Sequence, residues 1–133
     1  MKRLLIANRG EIAIRIARSA KDLGIKTIGI YSEDDVNSLH LSKMDDNYLL
    51  NGKGTSAYLD IKKIVSLAKE CKADAIHPGY GFLSENAGLA REAKKNGICF
   101  IGPEEKTLRL FGNKIKAKEL ALKENVPVIK GTN

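Results

Sequence analysis

Three short segments concentrate the side chains that could do chemistry. Asn8-Arg9-Gly10-Glu11 sets a carboxamide, a guanidinium and a carboxylate around one glycine. Ser32-Glu33-Asp34-Asp35 gathers three carboxylates, and Pro78-Gly79-Tyr80-Gly81 places a phenol between two glycines directly after His77. Arg9 can offer a fork to an anion or pin its loop through Glu11 or Glu85, and the pinning role is the better reading. Glu11 suits the first turn of a helix. His77 ends a buried-looking strand and reads as a satisfied structural histidine rather than a catalytic one. The glycines flanking Tyr80 allow positive φ or close backbone approach, so the segment is a tight turn. Lys114 opens a helix just after Gly112, where its charge adds to the positive end of the helix dipole.

Two phosphate-binding readings fail on these residues. A dinucleotide site would use the first turn, with Glu33 or Asp34 on the ribose, but the fingerprint needs three glycines and only Gly10 is present. Glu11 would also stand where a pyrophosphate must sit. Glu33-Asp34-Asp35 then reads as a solvated turn. Gly52-Lys53-Gly54-Thr55 lacks the spacing of a phosphate loop and reads as a surface turn.

The elements that must position these loops alternate. Leu4–Ala7, Lys26–Tyr31, Asn47–Leu50, Ala73–His77 and Ile98–Ile101 are near-continuous apolar runs, the pattern of strands covered on both faces. Between them the period becomes helical. Ile12, Ala13, Ile16, Ala20 and Leu23 share one face, closed by Gly24; Ile61, Ile64, Val65, Ala68 and Cys71 share another. Ser84 is the expected cap of a third helix that runs to about Asn96 and is closed by Gly97, Glu104–Phe111 forms a fourth and Asn113–Asn125 a fifth. Val126–Ile129 reads as a final strand with nothing after it to pair with, which suggests a chain cut short; a frayed tail is the alternative. This order predicts an α/β, Rossmann-like, doubly wound parallel sheet with ligands at the carboxyl ends of its strands.

Composition narrows the function classes. At 133 residues the chain has room for one ordinary domain. Its 43% hydrophobic and 29% charged residues fit a folded soluble protein, and no apolar run approaches membrane length, so the reading is cytoplasmic with no membrane partner. The net charge of +7 invites nucleic acid, but the lysines are scattered, Trp is absent and no basic-aromatic motif occurs, which argues against that partner. Cys71 and Cys99 both lie in apolar patterns and read as reduced core residues, with no metal site.

Two runs carry a family likeness. Ile6-Ala7-Asn8-Arg9-Gly10-Glu11-Ile12-Ala13 and His77-Pro78-Gly79-Tyr80-Gly81-Phe82-Leu83-Ser84-Glu85-Asn86 resemble signatures of biotin carboxylases. Gly24-Ile25-Lys26-Thr27, Tyr58-Leu59-Asp60-Ile61, Ala73-Asp74-Ala75-Ile76 and Phe100-Ile101-Gly102-Pro103 add to it. Such domains occur as the carboxylase subunit of acetyl-CoA carboxylase and at the front of pyruvate and propionyl-CoA carboxylases. One departure is Asn113 before Lys114, where the family usually has aspartate.

The resemblance implies a pre-ATP-grasp domain over residues 1–112 and the first elements of an ATP-grasp region over 113–133. It implies an enzyme that uses MgATP and bicarbonate to carboxylate biotin on a carrier protein, working with a carboxyltransferase component. Lys114 would meet the nucleotide phosphates, and Tyr80 and Gly81 would lie beside the biotin ring. Arg15, Arg18 and Asp22, spaced along one helix face, would belong to a homodimer interface; by spacing alone they form a solvated, self-paired face. ATP, Mg2+ and biotin would bind mostly outside this segment, which would hold no catalytic residue and be inactive without the remainder of the carboxylase chain. Another ATP-grasp ligase of carbamoyl-phosphate or purine type, or a non-catalytic docking module, are the alternatives.

Overall fold

A computed structural model describes residues 1–129. The strands are β1 (Arg3–Ile6), β2 (Lys26–Ser32), β3 (Asp46–Leu50), β4 (Ala75–His77) and β5 (Cys99–Phe100). The helices are α1 (Gly10–Asp22), α2 (Ile61–Glu70), α3 (Ala87–Lys95), α4 (Glu105–Phe111) and α5 (Lys114–Lys123), with short 3₁₀ turns at Glu33–Asp35, Leu39–Lys43 and Thr55–Leu59. All the strands pair in parallel in the order β3-β2-β1-β4-β5. The expected doubly wound sheet is therefore the observed fold.

The strand sequences explain the layering. Alternate residues of β1 point to opposite faces, so a strand covered on both sides must be apolar throughout. Leu5 joins Ile28, Ile30, Ile76, Ile64 and Leu89 in a core beneath α2 and α3. Leu4 and Ile6 pack on the other face against Ala13, Ala17 and Ala20 of α1. The small side chains of α1 let the helix lie close to the sheet. Gly29 serves the same face: a Cβ there would stand 2.6 Å from Asn47 Oδ1 and 2.7 Å from Met44 Cγ.

Several boundaries differ from the sequence reading. The third helix starts at Ala87, and its cap is Asn86, whose Oδ1 accepts from the Gly88 and Leu89 N–H groups. Ser84 instead belongs to the preceding turn, donating its N–H to the Gly81 carbonyl. An asparagine two residues on competes better, because only it can reach both orphan amides. Leu23 does not join the buried stripe. Helix α1 ends at Asp22 and the chain reverses through Gly24 at φ +68°, leaving Leu23 74% exposed while Ala17 is buried. Cys71 is buried as expected, but Cys99 is exposed, because β5 is a two-residue edge strand with only one neighbour. Asn113 caps α5 rather than starting it, accepting from the Lys116 N–H. Val126–Ile129 forms no strand. Residues 130–133 lie outside the described part.

Candidate functional site

Strand order decides where a site can form. The chain runs outward from β1 to β3 on one side and through β4 and β5 on the other, so connections leave the carboxyl ends of β1 and β4 in opposite directions. A crevice at that switch point is where doubly wound sheets bind ligands. Here it is an open cleft of about 420 Å³ lined by Asn8, Arg9, Glu11, Tyr80, Gly81 and Phe82. Two of the three chemically rich loops, those after β1 and β4, thus meet at one place.

Asn8 joins them. It is 5% exposed, and its Nδ2 donates to the Pro78 carbonyl at 2.8 Å and the Tyr80 carbonyl at 2.9 Å, while Oδ1 accepts from the Arg9 N–H at 2.9 Å. A single carboxamide therefore saturates three backbone groups of two loops. Gly79 must be glycine for this fit: it has φ +68°, and a Cβ would come 2.5 Å from Asn8 Nδ2 and 2.9 Å from Ile12 Cγ2. Gly81, at φ +65°, faces open space instead. His77 fixes the start of the turn by accepting from the Gly79 N–H through Nδ1 at 3.0 Å. Burial lowers the His77 pKa, which favours the neutral ring that this acceptor role requires. The structural reading of His77 holds.

The result is a turn whose polar backbone is held from behind and whose front is open. Tyr80 is 69% exposed. Within the described residues neither the Tyr80 nor the Gly81 N–H donates to a protein acceptor. Such a surface can offer amides and an aromatic face to a flat, uncharged polar ring.

In the acidic loop after β2, Glu33 and Asp34 are exposed as a solvated turn requires, but Asp35 is drawn inward. Asp35 accepts from Arg9 Nη1 at 3.1 Å, from the Tyr58 hydroxyl at 2.8 Å and from the Ser32 hydroxyl at 3.1 Å. Burial alone would raise its pKa, but the Tyr58 hydroxyl and the Arg9 charge outweigh that and hold the carboxyl below its ordinary range. Arg9 is therefore pinned as expected, but by Asp35 rather than by Glu11 or Glu85. Glu11 turns outward along α1 and meets Arg15 at 3.6 Å. Glu33 and Asp34 accept from the Gly52 and Gly54 N–H groups, so the Gly52–Thr55 segment is a surface turn whose amides are already taken by carboxylates.

Arg15, Arg18 and Asp22 are all exposed on the outer side of α1. The expected pairing within that set is replaced by the Glu11–Arg15 contact, an exposed pair worth little energetically. Lys114 is the first residue of α5 and is exposed. It lines neither the cleft at Tyr80 nor a second open groove, about 620 Å³, that runs from Glu85 and Asn86, just past the turn, to Asn113 and Lys116. Sequence reasoning noted Asn8 and Asp35 only as members of polar loops and gave Tyr58 and Phe82 no role of their own. Asn8 carried a signal: an asparagine ending a buried strand commonly bonds neighbouring backbone.

Among the described residues no group of three His, Cys, Asp or Glu could hold a metal ion, and no helix is long and apolar enough to cross a membrane.

Residues 1–108 match the family described as biotin carboxylase, N-terminal domain. The chain is 51% identical over 135 residues to a pyruvate carboxylase of Staphylococcus aureus, which covers all of this chain and 12% of that protein. Among solved structures, the biotin carboxylase domain of a single-chain bacterial carboxylase superposes with a TM-score of 0.96 at 48% identity, covering 99% of this chain and 31% of that one. A dimer of the biotin carboxylase domain of Hydrogenobacter thermophilus 2-oxoglutarate carboxylase, in complex with MgADP and bicarbonate, gives 0.95 at 44% identity, covering 98% of this chain and 29% of that one. The chain thus spans about one eighth of the pyruvate carboxylase it matches.

Proposed function

The chain belongs to the biotin carboxylase N-terminal domain family, and on that premise we propose that its β1–β4 cleft forms one wall of the site where biotin is carboxylated at the expense of MgATP. The observation that carries this is the Gly79–Phe82 turn, held from behind by Asn8 and His77 and open in front. Biotin's ureido ring is flat, uncharged and polar, and the free amides and phenol of Tyr80 and Gly81 suit its recognition. The bound MgADP and bicarbonate of the 2-oxoglutarate carboxylase domain support the same cosubstrates for the whole protein. MgATP supplies the activation of bicarbonate; this chain's residues bind and orient.

Lys114 is the residue of this chain assigned to the nucleotide phosphates. Its place at the amino end of α5, beyond the last matched family residue, supports a boundary after Gly112, with 113–133 as the first part of an ATP-grasp region. Exposed Phe111, Ile115 and Leu122 around α5 fit a helix that meets further protein. The partners in this reading are the rest of the carboxylase, a biotin carrier, a carboxyltransferase component and a second copy meeting α1 at Arg15, Arg18 and Asp22. In this reading the enzyme works in the cytoplasm, with acetyl-CoA carboxylase among the carboxylases that use such a domain.

The test is ADP release by a full-length polypeptide that carries this chain at its front. Release should require bicarbonate and rise with free biotin; dependence on neither overturns the reading. Lys114→Ala in that polypeptide should raise the apparent KM for ATP, and an unchanged value removes the nucleotide assignment.

A further inference from the structure

Phe82 closes the Gly79–Phe82 turn at φ +40°, a backbone region that a bulky aromatic rarely enters. Such a conformation persists only where the surroundings impose it. Tyr58 packs directly against it. Its ring is fully buried and stacks on Phe82 with centroids 5.2 Å apart and planes 7° from parallel. Tyr58 is itself fixed at both ends. Its hydroxyl donates to Asp35 at 2.8 Å and accepts from the buried Ser32 N–H at 3.2 Å, and the Arg9 guanidinium lies over its ring at 5.7 Å from the centroid. One side chain from the 3₁₀ turn Thr55–Leu59 thus links the exits of β1, β2 and β4.

We propose that Tyr58 is a positioning residue for the biotin-facing turn, acting through its stack on Phe82, with Asp35 as the anchor that holds Tyr58 in place. This rests on the reading of the Tyr80-Gly81 turn as biotin's wall. Tyr58 itself touches no substrate: it lies behind the turn, fully buried. Its removal lets Phe82 leave the left-handed region and carries Tyr80 and Gly81 with it. Displacements of that kind, remote from the chemistry, weaken productive binding by an order of magnitude or more.

The experiment uses a full-length carboxylase carrying this chain, assayed by bicarbonate-dependent ADP release with free biotin varied. Tyr58→Leu should raise the apparent KM for biotin about tenfold while leaving the KM for ATP and the biotin-independent rate within about twofold. Tyr58→Phe keeps the stack and should return the biotin KM to within about threefold of the parent. Should Tyr58→Leu fail to fold, Phe82→Leu, on a half-buried side chain, reads the same stack and should raise the biotin KM to a similar extent. Equal changes in the biotin and ATP parameters, or no change in either, overturn the proposal. Gly81→Val separates the two layers of the argument. If it raises the biotin KM while Tyr58→Leu and Phe82→Leu do not, the positioning role alone is wrong. If Gly81→Val is also inert, the biotin reading falls and takes this proposal with it.

Discussion

Replacing Asn8 by aspartate changes one NH2 group into an oxygen and almost nothing else in shape. The effect should be large, because Asn8 Nδ2 is the donor for both the Pro78 and Tyr80 carbonyls. The Oδ1 acceptor for the Arg9 N–H survives in the variant. A buried carbonyl stripped of its donor costs about 1–3 kcal/mol, and the partly buried Tyr80 carbonyl contributes toward the lower end. The introduced carboxylate also faces two carbonyl oxygens at a position only 5% exposed. Together these give a loss of about 3 kcal/mol at neutral pH, or roughly 10–15 °C in Tm for a chain of this size. The loss must depend on pH. Burial and the two carbonyl dipoles raise the folded-state pKa of the introduced group above its unfolded value of about 3.9. The penalty is therefore complete above the raised pKa and shrinks as pH falls through it, when a protonated carboxyl can again donate one hydrogen bond. Urea denaturation of parent and variant at pH 7 and at pH 4.5, compared as differences, measures this. A difference under about 1 kcal/mol at pH 7, or one that stays constant between the two pH values, refutes the assignment of Asn8 as the brace of the turn.

The two turn glycines should respond unequally to alanine. Gly81→Ala meets open space and carries only the left-handed backbone cost of about 1–2 kcal/mol, whereas Gly79→Ala adds a collision with Asn8 and Ile12; equal losses in urea denaturation would contradict the geometry. Asp35→Asn should cost about 1–3 kcal/mol at pH 7 by weakening charge-assisted bonds to Arg9 and Tyr58. Because the Asp35 carboxyl is held below its ordinary value of 3.8, that stability is fully present above about pH 5 and fades as pH falls through 3.8 and below; a parent–variant difference that grows on acidification would be the wrong sign. Under native conditions a maleimide should label Cys99 rapidly and leave Cys71, which is buried with its thiol pKa raised by that burial, untouched; mass spectrometry showing two adducts at equal rates would contradict the burial pattern.

The sheet was legible in the sequence because a parallel strand covered on both faces must be apolar at every position. Leu4 to Ala7 and Lys26 to Tyr31 therefore announced themselves, while β5 was overcalled because Ile98 to Ile101 looks alike whether two residues pair or four. Cys99 was misplaced for the same reason: periodicity reports an apolar run, not which strand stands at the sheet edge. The turn at Tyr80 was visible through its glycines. Its supports were not, since Asn8, Asp35 and Tyr58 are separated from it by more than twenty positions and meet it only through strand order. Glu33 and Asp34 are as exposed as their sequence suggests, but nothing local marks Asp35 as the carboxylate that meets an arginine and a tyrosine.

That arrangement also explains why a nucleotide-type first turn is absent. In a dinucleotide domain the loop after β1 is stripped to glycines so that phosphate can reach the first helix's amino end. Here the same loop is filled. Asn8 spends its carboxamide on the neighbouring turn, Arg9 is drawn away to Asp35, and Glu11 places a negative charge in the first turn of α1. Glu11 disfavours an anion at the helix terminus, and Asn8 stiffens the exit of β4 instead. The switch-point crevice thus sets a helix terminus already carrying Glu11 opposite the uncharged backbone of Tyr80 and Gly81. On the proposed reading, a crevice built that way favours a neutral, hydrogen-bonding ring such as biotin's over a phosphate.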